Sequence, residues 1–421
     1  MTRLLAAIAD DYTGASDLAN MWRRAGLRTL QTIGTPDGID TSEFDAVVVS
    51  LKIRSVASAQ AVSAANDAFD WLQRAGAVHV MYKVCSTFDS TDAGNIGPVT
   101  DSLAKKAGAD HVLVTPAFIE TKRTVYNGHL FVGEELLSES PLRNHPLNPM
   151  HDANLVRVLS KQSESPAGLV ALSTIRSGRS EVESRIAELV GTGVRSVVCD
   201  AVSDEDLITL GEIALKCRIS TGASGLGAGL ARAFLAGAQH DRSAEHSPHD
   251  ATAPAAIVAG SCSARTLEQI EVAERTMPVL RLDPRDLLAS GGDISGAMDW
   301  AHPLIGEGPF LIATSADPAT VRDVQQRYGV ERTSHVIEDA CGRLAAHLVD
   351  SGVTRLVVAG GETSGAVVDH LGITAFRVGE EIAPGVPAMV TLGRPGGELS
   401  IALKSGNFGG SDFFEFALSK L

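Results

Sequence analysis

The sequence predicts an α/β protein of two domains, each with a mainly parallel, helix-covered sheet, and an active site in the cleft between them. Three observations carry this. Short runs of branched apolar residues, such as Ala46-Val-Val-Val-Ser-Leu51, alternate with helical stretches of about 10–15 residues. Several of these runs break into glycines and hydroxyls, most plainly at Leu356-Val-Val-Ala-Gly-Gly-Glu-Thr-Ser-Gly365. Residues 237–253 lack both periodicity and large apolar side chains, so they read as a linker between domains at 1–236 and 254–421.

In chain order, Leu4-Leu-Ala-Ala-Ile-Ala9 is a buried strand that delivers Asp10 and Asp11. A helix from about Ala15 to Ala25 follows, with Leu18, Ala19, Met21 and Trp22 at helical spacing, and stops before Gly26. A short strand near Leu30–Ile33 precedes the strand Ala46–Leu51, which ends at Lys52, Arg54 and Ser55. A helix over roughly Ser58–Arg74 leads to the strand His79–Val84 and then to Cys85-Ser-Thr-Phe-Asp-Ser90. After a further helix, His111–Thr115 is a strand ending at Pro116. Residues 117–150 look irregular, as a lid or binding loop would. Strands recur at Gly168–Leu172 and Val194–Cys199, and Ile219-Ser-Thr-Gly-Ala-Ser-Gly is another glycine-rich turn. The second domain opens with Ala255-Ala-Ile-Val-Ala-Gly-Ser-Cys-Ser, continues through the strand Phe310–Thr314 to Ser315, and closes with Leu403-Lys-Ser-Gly-Asn-Phe-Gly-Gly410.

Composition narrows the function. With 421 residues, 44% of them apolar, the chain can bury more than one core. No run nears the ~18 apolar residues of a membrane span. The N-terminal apolar run is short and meets two carboxylates, unlike a signal peptide, so a cytoplasmic protein is expected. Against 51 acidic residues stand 36 basic ones, which argues against a nucleic-acid or anionic-membrane partner. The five cysteines, Cys85, Cys199, Cys217, Cys262 and Cys341, show no CxxC spacing, so neither a disulfide framework nor a zinc site is indicated. His240, His246 and His249 fall in the linker, where no preformed metal site is expected.

The chemistry follows from where strands end. In parallel sheets ligands bind beyond the carboxyl ends of the strands. That rule gathers Asp10, Asp11, Lys52, Arg54, Lys83, Ser86 and Asp89 at one edge of the first domain. A small acid has little apolar surface and must be held by charge-assisted bonds, for which Arg54, Lys83 and Arg143 are the candidates. Ser86, Thr87 and Asp89 would read its hydroxyl or keto groups. Asp10 and Asp11, being adjacent in a strand end, face opposite ways. One is expected to reach the acceptor hydroxyl or Mg²⁺ and the other to anchor the turn, with Asp11 the favoured base and Asp89 the alternative. In the second domain a strand that turns through Gly360 and Gly361 into a helix aims backbone N–H groups at one point, an anion site suited to phosphate. An ordinary tight turn would look the same; the similar turns near Gly260 and Ser315 and the terminal glycine loop favour a polyphosphate. Phosphoryl transfer fits this division. GxxxxGK[ST], GxGxxG on the first turn and GxSxG are all absent, which excludes a P-loop enzyme and a nucleophile elbow and weakens a dehydrogenase reading.

The chain resembles the four-carbon acid sugar kinase family along essentially its whole length, and most closely the 3-oxo-tetronate branch. Ile8-Ala-Asp-Asp-Tyr-Thr-Gly-Ala15, Cys85-Ser-Thr-Phe-Asp-Ser-Thr-Asp-Ala-Gly-Asn-Ile-Gly-Pro98 and Arg143-Asn-His-Pro-Leu147 carry the resemblance in the first domain. Ala259-Gly-Ser-Cys-Ser263, Ala359–Gly365 and Leu403–Gly410 carry it in the second. It implies an acid-sugar domain at 1–236, an ATP domain at 254–421, and ATP with Mg²⁺ as cofactors. The family's nucleotide residues fall on Ser261 or Ser263, on Gly360, Gly361, Glu362 and Thr363, and on Gly406. The implied reaction is phosphorylation of the terminal hydroxyl of 3-oxo-tetronate. The alternatives are a kinase for threonate or erythronate, a nicotinamide-dependent sugar-acid oxidoreductase, and a non-catalytic sensor. The expected partner is a small acid sugar, with a homodimer left open. Thr121-Lys122 departs from the family pattern, where a glycine is expected near position 122.

Overall fold

The computed structural model describes residues 3–144, 148–237 and 252–421. His145, Pro146 and Leu147 of one family motif, and all but the ends of the expected linker with its three histidines, lie outside the described residues. Two compact units, Met1–Ala244 and Glu245–Leu421, make up the chain.

Unit one contains β1 (Leu4–Ala9), β2 (Thr29–Ile33), β3 (Ala46–Ser50), β4 (Ala77–Lys83), β5 (Val112–Thr115), β6 (Arg123–Tyr126), β7 (His129–Val132), β8 (Glu135–Leu136), β9 (Ala167–Val170), β10 (Ser196–Cys199) and β11 (Ile219–Gly222). Its main sheet runs β2-β3-β1-β4-β11-β5-β10-β9, every pair parallel. β1 and β3 are buried throughout, as strands covered on both faces must be. Register aligns the strand ends: Ala9 pairs with Ser50 and Lys83, and Gly222 pairs with Lys83 and Thr115. The chain leaves β1 toward β2 and β3 but leaves β4 toward β5 on the other side. The crevice of this switch point opens between Asp10 and Lys83.

The stretch 117–150, expected to be irregular, instead holds a three-stranded antiparallel meander, β6-β7-β8. Its first turn is Asn127-Gly128, both at positive φ. That is the pair a two-residue hairpin prefers, and Asp200 pins it by accepting the N–H groups of Asn127 at 2.8 Å and Gly128 at 2.9 Å. The helix expected from Ala15 begins earlier, at Tyr12, because Asp11 caps it.

Unit two contains β12 (Ala255–Ala259), β13 (Val279–Arg281), β14 (Phe310–Ala313), β15 (Arg355–Ala359), β16 (Ala375–Ala383), β17 (Val386–Leu392) and β18 (Ser400–Lys404). The order is β13-β14-β12-β15-β18-β17-β16, parallel as far as β18 and antiparallel for the last two. Ile257, Leu311, Val357 and Ala402 pack with Phe413 and Phe414 of the last helix in one core. Ala259, Ala313, Ala359 and Lys404 stand at aligned strand ends, so the turns after them share one edge. Among the described residues no helix is long and apolar enough to cross a membrane.

Candidate active site

In unit one the strand-end residues meet around one guanidinium. Asp10 is 2% exposed. Arg54 grips it with two bonds of 2.8 Å, from Nε to Oδ2 and from Nη2 to Oδ1. The same Nη2 lies 2.9 Å from Asp11 Oδ1, and Nη1 lies 3.8 Å from Asp89 Oδ2. Such a fork matches a carboxylate in shape as well as charge. Burial opposes the charge on Arg54, but Asp10 and Asp11 together raise its pKa well above the ordinary value. Burial also pushes the Asp10 carboxyl up, against the pull of Arg54, and Asp11 adds to the rise. The loop that carries Arg54 is itself held: Asn95 Nδ2 donates to the carbonyls of Ile53 at 2.8 Å, Arg54 at 3.3 Å and Val56 at 2.9 Å.

Asp11 has two tasks. Its Oδ1 accepts the N–H of Gly14 at 2.8 Å and so caps the helix Tyr12–Ala25, while Oδ2 takes none of these bonds. Of the two aspartates, one expected to anchor the turn and the other to reach the acceptor hydroxyl or Mg²⁺, Asp11 is the anchor. Asp10 is locked by Arg54, and Asp11 both anchors the turn and keeps an oxygen available. Its side chain is 30% exposed against 3% for Asp10.

Lys83, 3% exposed, ends β4 and donates to the Val84 carbonyl at 3.0 Å. Its ammonium sits over Gly14, where any Cβ would strike it. Asp17, one turn into the helix, is a half-buried carboxylate within the field of Lys83 and accepts from Ser224 Oγ. Burial raises its pKa, opposed by Lys83 and Ser224. Sequence reasoning passed over Asp17 and Asn95, because nothing local marks a helix carboxylate as belonging to a distant lysine or a loop asparagine as belonging to a distant arginine loop.

The segment after β4 folds tightly. Thr87 Oγ1 donates to Asp89 Oδ1 at 2.6 Å, and the Cys85 thiol contacts Thr87 Oγ1 at 2.9 Å. Burial pushes that thiol up to about 11. Phe88 is fully buried at φ +52°, a conformation costly for a bulky residue and characteristic of functional sites. Ser86 lies beside these residues, half-buried. Arg143 is not drawn into the cluster. Its exposed guanidinium reaches the Ser138 carbonyl at 3.4 Å, although its loop returns to the cluster where Asn148 Nδ2 donates to Ser55 at 3.3 Å.

Unit two is built from backbone and hydroxyls. The helix Gly361–His370 starts directly after β15, and Gly360 has φ +133°. A Cβ on Gly260 or Gly360 would strike the Thr363 hydroxyl, and one on Gly406 the Ser261 hydroxyl. The three glycines thus let the turn after β12, the turn after β15 and the terminal loop close on one another. Gly361 differs: nothing lies within 4 Å of where its Cβ would be, and it borders a cleft. The cleft measures about 300 Å³. One wall carries Ser261, Cys262 and Glu362, and the other carries Val321, Val324 and Ile337. That second wall comes from the helices Pro318–Tyr328 and Val330–Asp350, which sequence reasoning did not connect with the site. Ser263 caps its own helix and donates through Oγ to the Gly406 carbonyl at 2.7 Å. Lys404, quoted in a motif but not singled out, is buried there too, and burial lowers its ammonium to about 8.

Comparison with known proteins divides the chain in the same sense. A model of a sugar-binding N-terminal domain matches residues 5–230, and one of a nucleotide-binding C-terminal domain matches residues 256–414. The chain is 54% identical to the 3-oxo-tetronate kinase of Methylobacterium radiotolerans over all of both chains. It is 47% identical to that of Cupriavidus necator over 99% of this chain and 97% of the relative. Among solved structures, a Salmonella typhimurium LT2 protein described as a tRNA synthase aligns with a TM-score of 0.90, 37% identity and 99% of each chain. A Haemophilus influenzae protein aligns with a TM-score of 0.86, 40% identity and 99% of each chain.

Proposed function

The chain belongs to the four-carbon acid sugar kinase family, and from that premise we propose that it transfers the γ-phosphoryl group of ATP to the terminal hydroxyl of 3-oxo-tetronate. The observation that carries the substrate half is the Asp10–Arg54–Asp11–Asp89 cluster at aligned strand ends. The cleft bordered by the Gly260 and Gly360 turns supports the nucleotide half.

Each group has a role that follows from its surroundings. Arg54, raised in pKa and held by Asn95, stays protonated and orients Asp11 and Asp89. Asp11 Oδ2 takes the proton from the terminal hydroxyl oxygen as that oxygen bonds to the γ-phosphorus and ADP leaves. Arg54 and Lys83 are the cations for the substrate carboxylate, Ser86 is a donor for its keto oxygen, and Thr87, whose hydroxyl hydrogen goes to Asp89, is an acceptor for one of its hydroxyls. The N–H groups at the start of Gly361–His370, with the Ser261 hydroxyl, take the phosphates, and Ser263 holds the terminal loop beside them through the Gly406 carbonyl. The apolar wall of Val321, Val324 and Ile337 suits the base.

Mg²⁺ needs hard oxygen donors and keeps waters and phosphate oxygens among its ligands, so one carboxylate from the protein suffices. Glu362, exposed in the first turn of its helix and bordering the cleft, fits that requirement. When bound, the ion would neutralise charge on the β- and γ-phosphates.

The tRNA partner implied by the name of the Salmonella protein is disfavoured by a net charge of −15. The test is ADP release with ATP, Mg²⁺ and a panel of 3-oxo-tetronate, threonate and erythronate, alongside NAD(P)H absorbance. Preferred turnover of the 3-oxo acid is expected. Better turnover of threonate or erythronate would overturn the substrate and leave the kinase, and a nicotinamide signal without ADP would overturn both.

A further inference from the structure

Lys404 carries a buried charge that the nucleotide reading leaves unused. It ends β18 and is 1% exposed. Among the described residues no carboxylate is paired with it, and its charged neighbour Arg265 opposes its protonation. The Phe413 ring lies 5.8 Å from the ammonium but brings no negative charge, and an ammonium buried without a counter-charge is costly. Its hydrogens go to the carbonyls of Gly406 at 2.9 Å and Ser405 at 3.3 Å and to Thr266 Oγ1 at 3.1 Å. Two further donors reach the same Gly406 oxygen, Ser263 Oγ at 2.7 Å and Thr266 Oγ1 at 2.9 Å.

A carbonyl oxygen has two lone pairs. Three donors converging on it saturate it and fix the direction of its peptide plane. In a trans peptide the C=O and the following N–H point opposite ways, and no peptide bond among the described residues is cis. With the Gly406 carbonyl drawn toward the helix Ala264–Ala273, the Asn407 N–H must turn away from that helix. No backbone acceptor among the described residues takes it. The same peptide passes against the serine turn, since a Cβ on Gly406 would meet both the Ser261 and Ser263 hydroxyls.

We propose that the Asn407 backbone N–H is a further polyphosphate donor, aimed by the three-donor clamp on the Gly406 carbonyl, and that Lys404 is its positioning residue. The proposal rests on reading unit two as the nucleotide site. Its test uses the full chain as wild type, Lys404→Met and Thr266→Val. Readouts are kcat, KM for each substrate, and calorimetric affinity for Mg·ATP, inorganic tripolyphosphate and adenosine. In Lys404→Met the KM for ATP should rise about ten- to a hundredfold, the worth of one charge-assisted hydrogen bond. Tripolyphosphate affinity should fall by the same factor, while the KM for the acid and the affinity for adenosine hold. Thr266→Val should move the same way by less, and it carries the test alone if Lys404→Met does not fold. Unchanged tripolyphosphate affinity in a folded variant, or an equal loss for adenosine, would overturn the positioning role. Failure of the wild-type protein to bind either ATP or tripolyphosphate would overturn the nucleotide reading beneath it.

Discussion

The two units handle charge in opposite ways. In unit one nearly every charge at the strand ends has a partner of opposite sign. Arg54 meets Asp10, Asp11 and Asp89, and Lys83 lies in the field of Asp10 and Asp17. In unit two the donors are backbone N–H groups and hydroxyls, and the most deeply buried cation among the described residues, Lys404, is paired with no carboxylate. A compensated network suits a small acid whose orientation matters more than its charge. An uncompensated one suits a polyphosphate that brings several negative charges of its own. The lesson is that a site's unpaired charge, rather than its count of charged residues, indicates what it binds.

The largest effect should come from Asp11, the helix-capping carboxylate of the Arg54 cluster, whose Oδ2 takes none of the bonds described. Asp11→Asn retains the Gly14 cap through its amide oxygen but cannot accept a proton. Steady-state kinetics should therefore show kcat lowered by ~10²–10⁴ with little change in either KM. Near wild-type turnover would move the base to Asp89 and blur the contrast between a locked Asp10 and an available Asp11.

A second prediction sharpens the contrast through pH. Burial lowers Lys404 to about 8 from an ordinary 10.5, so the unfolded chain holds this proton over a range where the folded chain has lost it. The cost of its burial is then full below pH 8 and fades as pH rises toward 10.5. The stability difference between wild type and Lys404→Met should shrink across that window, while the wild-type KM for ATP rises toward the variant's. Denaturant titrations and kinetics at a series of pH values would measure both. A wild-type KM for ATP that is flat across the window would deny that the buried charge serves the phosphates.

The smallest effect tests the position where a lysine stands in place of the expected glycine. Lys122 has φ +57°, a left-handed conformation that favours glycine. Lys122→Gly should stabilise the chain by at most about 1 kcal/mol, since glycine's added freedom in the unfolded state offsets part of the relief. Comparison of denaturation midpoints reads this directly; a clear loss of stability would mean that the lysine side chain makes a needed contact.

How far this was legible in the sequence depended on range. The strands Ala46–Ser50 and Arg355–Ala359 were readable because β-branched runs ending in polar or glycine residues mark buried parallel strands locally. The position of the left-handed residue near 122 was readable from the missing family glycine, although Lys fills it. The meander at Arg123–Leu136 was missed because its strands are short and partly polar, so only the Asn127-Gly128 pair could have signalled it. The Arg54–Asp10 fork spans 44 residues of sequence, and the Lys404–Thr266 contact spans 138. No local pattern encodes such pairings; strand register creates them. The apolar wall of the cleft was hidden for a related reason, since Val324 and Ile337 look like any helix residues until two helices close over the turns.

The division of labour between the units is the central claim, and paired binding titrations of the full chain test it most directly. Arg54→Gln removes the guanidinium of unit one, and Gly361→Val fills open space beside the cleft of unit two without meeting protein atoms at its Cβ. Calorimetry with ATP and with the four-carbon acid, each alone, should show Arg54→Gln losing ten- to a hundredfold for the acid, about the worth of one charge-assisted bond, with ATP affinity kept. Gly361→Val should show the reverse. If either variant, still folded, loses both ligands equally or loses the other unit's ligand, the assignment of acid to unit one and nucleotide to unit two is contradicted.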